Sequence, residues 1–142
     1  MPLDSQLKQF EKGLSVPYKF RDWPNNVIPD VAAGVYVIWE GKNLLYVGMS
    51  GRQMIPESRK KAELEIDKKR KAGKNITLTD RKGLFQRLRA HASGRLSGDQ
   101  FCVYVANRRI APELTLDQRK DLKSGCLTFD KLVKKEVANL DY

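Results

Sequence analysis

Glu136 is the residue hardest to explain as scaffold. On a helical wheel begun at Phe129, the residues Leu132, Val133, Val137 and Leu140 share one apolar arc, and Glu136 falls inside it. An unpaired carboxylate there costs roughly several kcal/mol, so it calls for a cation: an arginine in a buried ion pair, or a metal ion. Arg87 and His91 form a second group. They lie one turn apart on the edge of the stripe made by Leu84, Phe85, Leu88 and Ala92, and are expected to be partly buried. As scaffold they are a helix-edge arginine and a core-edge histidine. As chemistry, the arginine grips a phosphate and the histidine shares a proton with a neighbouring phenol. Tyr36 and Tyr46 are the third group, and alone they read as packing residues of strands.

The elements that must position these residues are legible from patterning. Gly34–Trp39 is rich in β-branched and aromatic residues and predicts a strand. Glu40-Gly41-Lys42-Asn43 supplies a turn, and Leu44–Gly48 predicts the returning strand of a hairpin. Alternation places Tyr36 and Ile38 on one face of the first strand, and Leu44, Tyr46 and Gly48 on one face of the second. Phe101–Val105 reads as a third strand. Leu3, Leu7, Phe10 and Leu14 recur at helical spacing and predict a helix over 3–14, followed by a proline-containing loop over 15–33. Helices are also expected over 57–71, closed by Gly73; over about 81–92, capped by Thr79 or Asp80; from Thr115, with Gln118 completing a capping box and Gly125 ending it; and from Thr128 to about Leu140. The fold class is therefore mixed α/β: one domain over 1–142, with a small three-stranded antiparallel sheet flanked by helices.

Charge narrows the partner. The 142 residues carry 27 Lys and Arg against 17 Asp and Glu, a net charge of +10. Residues 1–50 are net zero, 51–82 net +6 and 83–142 net +4. Such an excess suits a polyanion, nucleic acid first. A membrane surface is disfavoured, because the basic residues are interleaved with acids and no helix pairs a basic face with a large aromatic face. No apolar run approaches the length of a membrane span, and the N-terminus lacks a secretory pattern. Two cysteines and one histidine exclude a disulfide scaffold and the usual structural zinc site, and suggest reduced thiols inside the cell.

Gly34-Val35-Tyr36 and, ten residues on, Tyr46-Val47-Gly48 resemble the paired signature of the GIY-YIG nuclease superfamily. Arg87 followed by His91 is similar to that family's helical arginine, and Glu136 in a late helix to its metal-binding glutamate. The resemblance spans roughly residues 33–140, with all four parts in order. It implies an endonuclease that hydrolyses phosphodiester bonds in DNA, duplex or branched, with one Mg²⁺ or Mn²⁺, in the cytoplasm and associated with the nucleoid. Under it Glu136 holds the ion, Tyr36 orients or deprotonates the attacking water, Tyr46 positions that water or the phosphate, Arg87 stabilises phosphoryl charge, and His91 takes the Tyr36 proton. Gly34 and Gly48 are structural and allow close backbone approach at the strand ends. Met49 stands where many members carry a basic residue, and Arg52 is the expected replacement. The segment 49–80 is long for its place and reads as an insertion that contacts DNA through Arg59, Lys60, Lys61, Lys68, Lys69, Arg70 and Lys71, or else as a solvated helix of mixed charge. The competing function is a non-catalytic nucleic-acid-binding module on the same fold. The geometric expectation is that Tyr36, Tyr46, Arg87, His91 and Glu136 converge on one concave basic surface.

Overall fold

The computed structural model describes residues 12–142. The expected helix over 3–14 therefore lies almost wholly outside the described residues. The rest is mixed α/β. Strand β1 (Val31–Ala32) is followed by β2 (Gly34–Glu40), β3 (Asn43–Ser50), helix α1 (Pro56–Lys71), β4 (Lys82–Gly83), and helices α2 (Leu84–Ser93), α3 (Gln100–Val105), α4 (Leu116–Ser124) and α5 (Phe129–Val137). None of these helices is long and apolar enough to cross a membrane.

The hairpin forms as its sequence requires. Glu40 pairs with Asn43, and Gly41 takes a φ of 57° at the first position of the two-residue loop, where a side chain would be strained. Tyr36 lies opposite Gly48 and Ile38 opposite Tyr46, so these four share the face turned to the core. Leu44 does not join them. A bulge between Ile38 and Trp39 pairs Trp39 with Leu44, leaves Leu45 as the extra residue and turns Leu44 out to solvent. Alternation counted from the sequence cannot see an inserted residue, and every side chain beyond it changes face.

The third strand is not at 101–105. Those residues belong to α3, whose N-cap is Asp99: its carboxylate accepts the Cys102 backbone N–H at 3.1 Å. The buried residues are Phe101, Cys102, Val105 and Ala106, with Tyr104 exposed. That is a helical period, and the local β-propensity of Val103, Tyr104 and Val105 yields to it. The sheets are two-stranded: β2 with β3 antiparallel, and β1 with β4 parallel. The third place beside β2 is taken instead by a single antiparallel bridge. Trp39 and Asp141 exchange backbone hydrogen bonds of 2.8 and 3.0 Å on the edge away from β3, and Asp141 also bridges Lys19.

The helix boundaries largely follow their signals. Thr115 and Gln118 make the capping box, and Thr128 accepts from Lys131 N–H. The exception is α2, whose N-cap is Gly83. Asp80 is occupied elsewhere, accepting from Thr77 N–H, Thr77 Oγ1 and Lys69. The core lies between the inner face of the hairpin and α2, α3 and α5, with Ile38, Phe85, Leu88, Phe101, Val105, Val133, Val137 and Leu140 fully buried. Beyond α3 the helix widens into a five-residue π turn over Ala106–Ile110, which keeps Ala106 and Ile110 in the core and sends Arg109 outward.

Candidate functional site

The centre of the site is a chain of three buried hydrogen-bonding groups. Tyr36 Oη lies 2.8 Å from His91 Nε2, and His91 Nδ1 lies 2.6 Å from Asp99 Oδ2. The other Asp99 oxygen accepts the Cys102 N–H. Each partner comes from a different element: Tyr36 from β2, His91 from the inner stripe of α2, Asp99 from the cap of α3. Tyr46 on β3 closes the cluster, its ring centroid 6.3 Å from that of Tyr36 and 6.2 Å from the imidazole. Phe101 supplies the apolar floor, 5.2 Å from Tyr46 and 5.0 Å from His91.

Gly48 makes this packing possible. A Cβ built on it would stand 2.3 Å from both Cζ and Oη of Tyr36. The phenol ring lies directly across the missing side chain, so the glycine serves the tyrosine opposite it. Gly34 differs: a Cβ there would be 3.6 Å from Leu84 Cδ2, an ordinary contact. Close approach thus explains the second signature glycine and not the first.

The electrostatics follow from burial. Desolvation pushes the Tyr36 phenol well above its ordinary value; Tyr46 and Asp99 add to this, and the Arg87 guanidinium opposes it. Burial also opposes ionisation of Asp99. The hydrogen bond and charge of His91, the Cys102 N–H and Arg87 outweigh that and hold the carboxyl below the ordinary Asp range. At neutral pH the His91 ring therefore sits between a protonated phenol and a carboxylate.

Arg87 is exposed, not partly buried, and forms no salt bridge among the described residues. It stands in a cleft of about 760 Å³ between the end of β3, α1 and the start of α2. Arg52 and Lys82 share that cleft, and its lining contains no carboxylate. Three unopposed cations around one concavity form a ready-made phosphate site. No motif or spacing in the sequence marks Lys82.

Glu136 stands apart from this group. Its Oε1 accepts from Arg109 Nε at 2.8 Å and lies 2.7 Å from Arg109 Nη2, and the same guanidinium holds Glu40. Glu40 lies at the turn of the hairpin, four residues along β2 from Tyr36, or about 13 Å at the usual strand rise. Of the two sequence readings of Glu136, the arginine partner is the one realised. The carboxylate is half-buried, not sunk in the stripe, and its charge is already met. A divalent ion at this point would face a guanidinium, so Glu136 as paired here does not fit the metal-ligand role. Of the five residues expected to converge, Tyr36, Tyr46 and His91 meet directly, Arg87 acts on the Tyr36 phenol through its charge, and Glu136 is paired with Arg109.

A second cluster of metal-ligating types, His91, Asp99 and Cys102, lies within 4.8 Å. It is satisfied by hydrogen bonds instead. The Cys102 thiol donates to the His91 carbonyl at 3.6 Å, and burial, with the Asp99 carboxylate beside it, pushes its pKa up to about 12. A thiol held protonated is a poor ligand.

Helix α1 divides its charges. Arg59 pairs with Glu63 at 2.8 Å, Arg70 with Asp30 and Lys69 with Asp80, so three of the seven expected DNA contacts are neutralised within the chain. Lys60, Lys61, Lys68 and Lys71 form no salt bridge among the described residues. At 100° per residue these four lie within about 100° of arc, opposite the buried Ile66. The mixed-charge and DNA-contact readings therefore each describe one face of the helix. Sequence reasoning missed Asp99 altogether. Its signal was an N-cap Asp after Gly98, ahead of apolar residues at 101, 102 and 105.

No family model, curated protein or solved structure matches this chain.

Proposed function

We propose that this chain is a GIY-YIG-type endonuclease that hydrolyses phosphodiester bonds in DNA. The observation that carries the reading is the buried 2.8 Å hydrogen bond between Tyr36 and His91, whose phenol feels the charge of Arg87, a residue that with Arg52 and Lys82 lines a cleft without a carboxylate. A DNA phosphate enters the cleft, and Arg87 offers its guanidinium to a non-bridging phosphoryl oxygen, where charge grows as water attacks. Tyr36 accepts the proton of that water. A buried phenol above its ordinary pKa is no standing base at neutral pH, so it works only by releasing its own proton as it takes one. His91 Nε2 is the acceptor within reach. Tyr46, half-exposed beside both, orients the water.

The test is nicking of supercoiled plasmid with Mg²⁺ or Mn²⁺ supplied, comparing wild type with Tyr36→Phe, His91→Ala and Arg87→Gln. Loss of about 10²-fold or more in each is expected, the usual contribution of a general base or a charge-stabilising donor. Cleavage unchanged by all three substitutions would sink the mechanism.

The second reading, a DNA-binding module without cleavage, is favoured by one observation: the carboxylate on which the resemblance places the metal is held by Arg109. It expects binding that weakens steeply with salt, and intact plasmid under every divalent ion.

A further inference from the structure

We propose that Asp99 is the positioning residue of this site: its carboxylate accepts the Nδ1–H of His91 and so fixes the tautomer in which the Nε2 lone pair faces the Tyr36 hydroxyl. The use of that lone pair rests on the nuclease reading. The tautomer itself does not.

For a neutral imidazole the hydrogen-bond inventory allows one consistent arrangement. Asp99 is a carboxylate and accepts only. Its Oδ1 is taken by the Cys102 N–H at 3.1 Å, and its Oδ2 lies 2.6 Å from His91 Nδ1. Nδ1 must therefore be the donor. In a neutral imidazole Nε2 is then the acceptor, and the group it meets at 2.8 Å is the Tyr36 hydroxyl. Burial keeps that hydroxyl protonated, so it donates. The other groups facing the imidazole do not compete. Tyr46 and Phe101 present their rings to the imidazole, the Tyr46 hydroxyl acts on Tyr36 instead, and the Cys102 thiol is engaged with the His91 carbonyl.

The arrangement gives the proton a route that balances. As water attacks phosphorus, a proton of the water passes to Tyr36 Oη while the Tyr36 hydroxyl proton passes to His91 Nε2. The bond from phosphorus to the leaving oxygen breaks, and that oxygen takes a proton from solvent. The imidazolium is held beside the Asp99 carboxylate, a paired charge in a site where an unpaired one would be strongly disfavoured. His91 then returns its proton to Tyr36, which releases one to solvent.

Asp99→Asn tests the assignment sharply because the cap fixes the amide. The Asn oxygen must still accept the Cys102 N–H, so its NH₂ is turned toward Nδ1. Two donors cannot meet, and the imidazole proton is driven to Nε2, facing Tyr36 with the wrong polarity. Asn is also a good N-cap, so α3 is retained. His91 is the sole histidine of the sequence, and ¹⁵N-histidine labelling yields one imidazole to read.

The expected result is an Nδ1–H imidazole in wild type and an Nε2–H imidazole in Asp99→Asn, with plasmid nicking down by about 10² to 10⁴-fold in the variant. An Nε2–H imidazole in wild type, or the same tautomer in both proteins, overturns the assignment. The wild-type spectrum decides this even if the variant folds poorly. A tautomer switch with no cleavage by wild type leaves Asp99 in its role and removes the nuclease reading instead.

Discussion

Gly48→Ala isolates what the second signature glycine does. The added methyl carbon would stand 2.3 Å from Cζ and Oη of Tyr36 and 2.8 Å from Cε2. The strand backbone is held by its register with β2, and the ring is packed against His91 and Tyr46, so the ring must yield. Overpacking of this kind costs about 1–3 kcal/mol, and displacing Tyr36 Oη from His91 forfeits a buried hydrogen bond worth about 1 kcal/mol. The expected destabilisation is therefore about 2–4 kcal/mol. Gly34→Ala is the matched control on the partner strand. It meets only Leu84 at 3.6 Å, and by restricting the unfolded chain it stabilises by up to about 1 kcal/mol. Urea unfolding monitored by tryptophan fluorescence, with unchanged slope, reads both values. A double variant with Tyr36→Ala sharpens the comparison: with the ring gone, the cost of Gly48→Ala should vanish, giving a coupling as large as the clash itself. If Gly48→Ala is as benign as Gly34→Ala, or if its cost persists without the Tyr36 ring, the reasoning is refuted.

Further outcomes follow from the same geometry. Glu136→Ala should cost about 1 kcal/mol or less, because the carboxylate is half-exposed and Arg109 keeps Glu40, and it should leave plasmid nicking unchanged; abolished nicking would show that Glu136 reaches the reaction. Asp80 has its carboxyl drawn down to about 2 from 3.8, by Lys69 first and then Thr77. Its contribution to stability is therefore complete above pH about 4 and lost as pH falls from about 4 to about 2, so the melting temperature of Asp80→Asn should vary less than wild type across that window. Cys102, buried and with its thiol pushed up to about 12, should resist maleimide in the native protein while the exposed Cys126 reacts. Two thiols labelled at equal rates under native conditions would contradict the burial of Cys102.

The sequence went furthest where the signal was local. The hairpin was legible because β-branched runs flank a turn with glycine at the right place, and both requirements act within a few residues. The capping box at Thr115 and Gln118 and the cap at Thr128 are likewise contacts between residues three apart. The errors have a common form. Phe101–Val105 reads as a strand by β-propensity alone, which takes no account of the Asp99 cap that starts a helix there. Strict alternation puts Leu44 on the inner face because a bulge leaves no mark in a period of two. Lys69 and Arg70 read as free charges because their partners, Asp80 and Asp30, lie outside helix α1 and cannot be paired by spacing, whereas the Arg59–Glu63 pair, one turn apart on the same helix, is legible from spacing.

What the sequence alone determined is the inventory: a basic α/β chain with a tyrosine on each strand of a hairpin, and an arginine and a histidine on one turn of a helix. What the tertiary structure decided is which of these meet. It joined Tyr36 to His91 across 55 positions and added Asp99, which no motif had marked. It gave Glu136 to Arg109. The physical reason is the same in each case. A buried polar group must find a partner, and that partner is fixed by which elements the apolar core brings together, not by distance along the chain.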